Sequence, residues 1–302
     1  MSQDSFELSP LGTLSQGQLE RLSFIDYRLI FVGELRRADL EERFGIAAAA
    51  ATRDISCYRE LAPANISYNP RAKIYQFSDS FKPLLPIQPE RALAWLRQGI
   101  GDGISHVASL PVHADAALAL SPPNIEKLAV LSRAIHQREA LKVTYLSLNS
   151  GASVREIVPV ALVDNAVRWH VRCYDRKNGR FGDFVVNRLK HIEPASQSPA
   201  EHELLANDNQ WNQVINLVLV PHPNLKNPIA IEADYEMQNA KLNINVRAAL
   251  AGYALQSWRV DCSHDHSQPS QQYHLWLSNS EILNGVESSS LIASYLKQGT
   301  AA

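Results

Sequence analysis

Cationic side chains that could bind an anion alternate with apolar ones in the segment VRWHVRCY, residues 167–174. Successive side chains of a β-strand point to opposite faces, so the segment predicts a strand with one apolar and one cationic face. The first face holds Val167, Trp169, Val171 and Cys173, and the second holds Arg168, His170, Arg172 and Tyr174. Arginine suits a phosphate ligand because its planar guanidinium group forms two parallel hydrogen bonds. The same alternation is also typical of a half-exposed strand with solvated arginines.

The region around this strand concentrates the positive charge of the chain. The net charge is −2, yet residues 125–195 carry 12 Lys and Arg against 7 Asp and Glu, a net charge of +5. Residues 196–302 carry 5 against 10, a net charge of −5. An anion site in the central region would need this distribution of charge.

Other short strands surround the cationic strand. Residues 143–148 and 155–161 flank a hairpin turn at Asn149-Ser150-Gly151, and residues 181–186 follow a second turn. Asn124 is a predicted N-cap for the helix that precedes them. Several short, bent strands after a helix predict a small Sm-like or SH3-like β-barrel.

The first third of the chain predicts a helix-turn-helix. Apolar spacing indicates a helix at residues 15–31, a short helix that ends at Gly45 and a second helix at residues 47–61. In a helix-turn-helix, the second helix enters the major groove of DNA. The polar side of this helix carries Thr52, Arg53, Ser56 and Arg59.

A β-hairpin is predicted directly after the second helix. Its strands lie at residues 65–68 and 73–77, and a hairpin in this order is the wing of a winged helix. The predicted DNA-binding residues are Thr52, Arg53, Ser56 and Arg59 of the helix together with Arg71 and Lys73 at the wing tip. An ordinary packed helix with solvated arginines is the alternative, since residues 1–85 hold 10 Lys and Arg against 11 Asp and Glu.

The remaining segments predict a connector and a C-terminal α/β module. Prolines divide residues 78–124 into short pieces, of which residues 89–99 are predicted to be helical. Further on, strands are predicted at residues 212–220, 229–233 and 273–277, and a helix is predicted at residues 247–258. The acidic charge of this module disfavours contact with DNA.

Residues of the central region, taken in order, resemble the WYL domain. They are residues 135–138 and 145–147, Arg155, Pro159, the tetrapeptide Arg168-Trp169-His170-Val171, Tyr174 and Arg188. Trp169 is kept from the tripeptide that names this domain, whereas His170 and Val171 replace the usual Tyr and Leu. Histidine keeps an aromatic, hydrogen-bonding side chain on the pocket face and introduces a group that titrates near neutrality.

The resemblance covers nearly the whole chain. RDISCYRELAPANISYNPRAKIYQF resembles the winged helix of WYL regulators that accompany phage-defence islands, namely the BrxR and CapW regulators of BREX and CBASS systems. PHPNLKN, IEADYEM and NVRAALAGY resemble their C-terminal domain. The resemblance implies a homodimeric repressor of a phage-defence operon, which binds a palindromic double-stranded DNA operator. It also implies that the WYL domain senses an anionic nucleotide or oligonucleotide.

Six side chains are predicted to converge on the anionic ligand, given this resemblance and the local charge. They are Tyr145, Ser147, Arg155, His170, Arg172 and Arg188. Trp169 and Cys173 lie on the apolar face and are predicted to belong to the core.

The predicted fold is therefore α+β and multidomain. Residues 1–85 form a winged helix-turn-helix, residues 86–124 a helical connector, residues 125–196 a WYL β-barrel and residues 197–302 an α/β dimerisation domain.

Other classes of function are disfavoured. No apolar run approaches the roughly 20 residues of a membrane helix, and three isolated cysteines fit a reducing compartment, so a cytoplasmic protein without a membrane partner is expected. No catalytic residue or cofactor is predicted, because Walker A, G-x-S-x-G and HExxH motifs are absent from the sequence. His264-Asp265-His266 is interpreted as a solvated loop and not as a metal site. The alternatives are a nucleic-acid-processing enzyme that uses His170 and an accessory protein that binds nucleic acid without promoter specificity.

Overall fold

The computed structural model describes residues 10–87, 89–98 and 122–296. The chain divides into two compact units. The first comprises Met1–Ser153 and Val186–Pro194, and the second comprises Val154–Val185 and Ala195–Ala302. The boundaries of the four predicted domains stay a prediction.

The helices and strands follow one another in mixed order. The helices are α1 (Gln16–Tyr27), α2 (Arg37–Phe44), α3 (Ala48–Leu61), α4 (Pro89–Gln98), α5 (Ile125–Gln137), α6 (Asn209–Asn212), α7 (Ile229–Asp234), α8 (Ala248–Ser257) and α9 (Ala293–Leu296). The strands are β1 (Glu34–Leu35), β2 (Ile66–Asn69), β3 (Ile74–Phe77), β4 (Leu141–Ser147), β5 (Gly151–Asp164), β6 (Trp169–Asp175), β7 (Arg180–Val185), β8 (Leu189–Pro194), β9 (Val214–Pro221), β10 (Leu242–Arg247), β11 (Val260–Asp261) and β12 (Leu275–Leu277). None of the helices in the described part of the chain is both long and apolar enough to cross a membrane.

The first unit contains the predicted winged helix-turn-helix. Helix α1 continues into a π-helical turn, Arg28–Val32, which ends at Gly33 with φ 89°. Strand β3 pairs antiparallel with both β1 and β2, which forms the wing sheet. Apolar side chains from α1, α2 and α3 meet in one buried cluster. The helical and hairpin patterns of residues 15–77 are therefore confirmed.

The central strands pair as antiparallel ribbons. In the first unit β4 pairs with β8, and in the second unit β6 lies between β5 and β7. Among the described residues these strands form no closed barrel, so the predicted Sm-like or SH3-like barrel is not confirmed.

The C-terminal part of the second unit is a four-stranded sheet in the order β10-β9-β12-β11, with apolar residues of α8 in its core cluster. Gly252 of α8 allows a very close approach of two backbones. A Cβ at this position would lie 1.8 Å from the carbonyl oxygen of Ser288, so only glycine fits. The amide of Gly252 donates to the Ser288 hydroxyl at 3.0 Å.

One predicted strand in this part is wrong, because residues 229–233 lie in helix α7. Pro228 has φ −64° and ψ −25°, which starts the helix, and Ala and Glu then favour it. Ile231 is buried while Ile229 is 73 % exposed, so the two isoleucines do not share the face that a strand would give them.

Candidate nucleic-acid interface

Helix α3 presents a polar side to solvent. Thr52, Arg53, Ser56 and Arg59 are all exposed, whereas Ala51, Ile55 and Tyr58 on the opposite side are buried. The Thr52 hydroxyl donates to the carbonyl of Ala48 at 2.9 Å, so it has only acceptor capacity left for a ligand. One of the two acidic residues of the helix, Asp54, is turned inward. It accepts from Arg21 Nε at 2.6 Å, which neutralises it within the protein.

The wing tip is held by an asparagine. The Asn69 side-chain oxygen accepts from the backbone amides of Arg71 and Ala72 at 3.1 and 3.2 Å. Lys73 takes φ 55° in the turn, which is why β3 begins one residue later than predicted. Arg71 and Lys73 are both exposed. The tip therefore presents two cations on a turn of defined shape.

A buried carboxylate, which sequence reasoning missed as a functional element, fixes the orientation of α3. Asp26 of α1 accepts from the Tyr58 hydroxyl of α3 and from the amides of Leu84 and Leu85, the latter two at 2.7 and 3.1 Å. Asn65 donates to the Tyr58 hydroxyl at 3.0 Å. Burial raises the pKa of Asp26 from 3.8 to about 6, and the hydrogen bonds moderate the rise. The sequence signal that could have identified it is that Asp26 lies among the apolar positions of the predicted helix at residues 15–31.

Helix α5 is attached to the winged helix by Arg133. Its Nη1 atom donates to the carbonyl of Ile30 in the π-helical turn, and its guanidinium carbon lies 4.2 Å from the centre of the Phe77 ring in β3. Burial lowers the pKa of Arg133. The cation satisfies a carbonyl at a helix end and packs on an aromatic face, two interactions that resist displacement of α5 from the wing.

The predicted anion-binding residues are distributed over both units. Tyr145, Ser147 and Arg188 lie in the first unit and are half-buried. Leu189, directly after Arg188, pairs with Tyr145 across β8 and β4. The Ser147 hydroxyl accepts from the amides of Asn149 and Ser150, so it also stabilises the hairpin turn.

The alternative interpretation of residues 167–174, a half-exposed strand with solvated arginines, is wrong at its centre. His170 and Arg172 are only 5 % and 3 % exposed. Arg172 donates through Nε and Nη2 to Asp208 and through Nη1 to Asp183, the last at 3.1 Å. Burial lowers the pKa of Arg172, but both carboxylates outweigh this effect and raise it above its ordinary value. Both faces of β6 are therefore covered by protein.

The other two predicted anion-binding residues of the second unit, Arg155 and His170, also contact groups of the protein. Arg155 donates through Nη1 to Asp175, and its side chain is 13 % exposed. The ring of His170 lies 5.1 Å from that of Tyr253, whose hydroxyl donates to Asp183 at 3.1 Å. The guanidinium groups of Arg155 and Arg172 therefore already bind carboxylates of the same chain.

Comparisons with known proteins match three successive parts of the chain. Residues 17–98 match the BrxR transcriptional regulator winged helix-turn-helix domain, residues 126–194 the WYL domain and residues 214–283 the BrxR transcriptional regulator C-terminal dimerization domain.

Curated relatives match over most of their length. A DNA-binding transcriptional repressor CapW of Pseudomonas aeruginosa is 36 % identical over 79 % of this chain and 82 % of its own. CapW repressors of Stenotrophomonas maltophilia and Escherichia coli (strain KTE188) are 31 % and 30 % identical. The match to the Stenotrophomonas protein covers 91 % of this chain and 94 % of the relative. The match to the Escherichia coli protein covers 84 % of this chain and 86 % of the relative.

The raised pKa of Asp26 predicts a pH dependence of stability. Because the pKa in the folded chain, about 6, exceeds the ordinary 3.8, the folded state binds the proton more tightly. The stabilisation is complete below about pH 4 and is lost as the pH rises to about 6, by roughly 3 kcal/mol. In urea unfolding, wild type should lose stability relative to Asp26→Asn over this range. The exposed control Asp79→Asn should parallel wild type, and a constant difference between wild type and Asp26→Asn would contradict the assignment.

Removal of the Arg172 guanidinium should destabilise the second unit. Arg172→Ala would leave Asp208 and Asp183 without their cation, which costs about 3–5 kcal/mol in the free energy of unfolding. The neighbouring Arg168→Ala, at a half-exposed position, should change it by about 0.5 kcal/mol or less. Urea unfolding of both variants measures the difference. Equal stability of the two variants would show that the buried ion cluster does not hold β6 in place.

Proposed function

This chain belongs to the family of WYL-domain transcriptional repressors that includes CapW, and we propose that it is a homodimeric repressor that binds operator DNA through α3 and the wing. The observation that carries the proposal is the exposed polar side of α3 next to a structured, cationic wing tip. Since the relatives are named repressors, the chain is a regulator and not an enzyme.

In the proposed complex, α3 lies in the major groove. Arg53 and Ser56 face base edges, because they lie on the exposed side of α3, opposite its buried residues. Arg59 and the wing residues Arg71 and Lys73 contact phosphates. The inward ion pair of Asp54 with Arg21 keeps a negative charge away from the DNA. A local cationic surface thus replaces the net positive charge that the first third of the chain lacks.

The proposed dimer forms through the C-terminal module. Residues 214–283 match a dimerization domain of BrxR regulators, and their region is acidic, which disfavours contact with DNA. A twofold dimer presents two copies of α3 related by symmetry, so the operator is proposed to be palindromic.

The proposed effector is an anionic nucleotide or oligonucleotide bound by the WYL segment, and the regulated genes are those of a phage-defence operon. The net charge of +5 for residues 125–195 and the half-buried Tyr145, Ser147 and Arg188 support an anion site. Arg155, His170 and Arg172 of the second unit stay predicted anion-binding residues. Their carboxylate partners Asp175, Asp183 and Asp208 imply that an anion must compete with the protein for two of these three side chains.

Loss of both exposed arginines of α3 should abolish specific binding. The double variant Arg53→Ala/Arg59→Ala should bind the DNA upstream of the chain's own operon roughly 100-fold more weakly, because two cationic contacts per protomer disappear. The slope of log affinity against log salt should fall by about 1 per protomer, because Arg59 is the phosphate contact of the two. A mobility shift assay at several salt concentrations measures both quantities.

Arg259→Ala, at an exposed position in the second unit, is the matched control and should bind like wild type. Equal binding by the double variant and wild type would contradict the role of α3. Equal affinity of wild type for random and upstream DNA would favour an accessory protein without promoter specificity.

The anion site can be tested separately from DNA binding. In the Arg53→Ala/Arg59→Ala background, Arg188→Ala should weaken binding of a fluorescent single-stranded oligonucleotide roughly 10-fold, because a charge-assisted bond is lost. In the wild-type background it should leave operator affinity within about twofold. Lys142→Ala, an exposed cation of β4, is the control and should bind the oligonucleotide normally. Unchanged binding by Arg188→Ala would remove Arg188 from the site.

A further inference from the structure

A groove runs between α3 and the base of the wing. Its walls are Ser56, Arg59 and Glu60 of α3, Pro63 in the turn after the helix and Ile66, the first residue of β2. The groove holds about 400 Å³. Two of the predicted DNA-binding residues, Ser56 and Arg59, thus share a surface with a strand that sequence reasoning treated only as a support for the wing tip.

Tyr68 extends this surface towards the wing tip. It lies two residues after Ile66 on β2 and so shares a strand face with it, about 7 Å further along. Tyr68 is 49 % exposed, the largest exposed fraction of a large apolar side chain among the described residues of the winged helix. Its ring packs against the directly opposite Tyr75, with ring centres 4.8 Å apart.

We propose that Tyr68 is a further DNA-contacting residue, whose ring packs on a deoxyribose and whose hydroxyl donates to a phosphate of the strand that enters this groove. The inference rests on the proposed function and adds a residue and a contact type to it. With this contact, the residues proposed to bind one DNA strand are Arg59, Tyr68 and the two wing-tip cations, Arg71 and Lys73.

The chemistry of the groove favours a sugar-phosphate backbone. Arg59 lies in the groove itself, and Arg71 and Lys73 follow Tyr68 by three and five residues. Tyrosine hydroxyls commonly bind phosphate oxygens, and a flat ring buries the apolar face of a sugar. Contact with Tyr75 restrains the Tyr68 ring before binding, so little side-chain entropy is lost in the complex.

Glu60 opposes this contact. It is exposed in the same groove, and its carboxylate repels a phosphate there. The neutral hydroxyl of Tyr68 is therefore better suited to contact a phosphate here than a further acidic or a bulky apolar group. Because Glu60→Gln removes the repulsion, this variant should bind the operator about two- to fivefold more tightly.

A competing explanation is that the two tyrosines stabilise only the hairpin. Cross-strand aromatic pairs contribute to sheet stability, and Tyr68→Ala would remove that contribution along with any DNA contact. Tyr68→Phe separates the two roles, because it keeps the ring pair and removes only the hydroxyl.

The test uses the full chain and the DNA upstream of its own operon. Tyr68→Phe should weaken binding roughly 3- to 10-fold, the effect of one lost hydrogen bond, and leave the thermal unfolding midpoint unchanged. The salt dependence of its affinity should keep the wild-type slope, whereas Arg71→Ala should reduce the slope by about 1 per protomer, because only the arginine displaces a counterion. Tyr235→Phe, at a 42 % exposed tyrosine of the second unit, should bind like wild type.

The outcomes distinguish this inference from the proposed function. If wild type binds the operator and Tyr68→Phe binds equally well, the contact is absent and the inference is overturned. If Tyr68→Phe weakens binding only together with a lower unfolding midpoint, the tyrosine pair has a structural role alone and the inference is again overturned. Failure of wild type itself to bind would refute the proposed function instead.

Discussion

The carboxylate of Asp26 joins three parts of the first unit that are far apart in sequence. It belongs to α1, accepts from Tyr58 on α3 and accepts from the backbone at Leu84 and Leu85, after the wing. Burying a carboxylate is costly unless donors surround it, so these bonds can form only in one arrangement of the helices. The apolar contacts between α1 and α3 tolerate small rotations, whereas the hydrogen bonds at Asp26 do not. The hydrogen bonds at Asp26, together with the ion pair of Arg21 and Asp54, therefore hold α3 with its polar side outward.

The same α1 continues into the turn that Arg133 of α5 holds. Asp26 lies only four residues before Ile30, whose carbonyl accepts the Arg133 hydrogen bond. A shift of α5 would therefore pull on the helix whose carboxylate positions Tyr58. Arg133 also packs on Phe77, in the strand that pairs with the one carrying Tyr68. Within the first unit, one arginine thus contacts both the helix that supports α3 and the wing, which supports the proposal that the WYL segment controls DNA binding.

The second unit has a polar cluster built around a buried cation. Arg172 on β6 is bound by Asp183 of β7 and by Asp208, which also caps α6. Tyr253 connects Asp183 to α8. A buried cation with two carboxylates ties the strand to the C-terminal helices through directional bonds. Arg172, a predicted anion-binding residue, thus also connects parts of the fold. In the proposed mechanism, a ligand competes with Asp183 and Asp208 for its guanidinium group.

Local patterns in the sequence determined the elements and their apolar faces. The spacing of Ile55 and Tyr58 predicted which side of α3 is buried, and turn residues predicted the wing, because side-chain period and turn chemistry act over a few neighbouring residues. Only the tertiary structure decided which charges are buried in ion pairs. Arg172 meets Asp208 across 36 residues and Asp26 meets Leu84 across 58, and alternation along a strand cannot indicate whether a distant carboxylate covers its polar face. The cost of burying a charge is met by partners that the chain brings together only on folding, which is why the predicted cationic surface of β6 became an interior ion cluster.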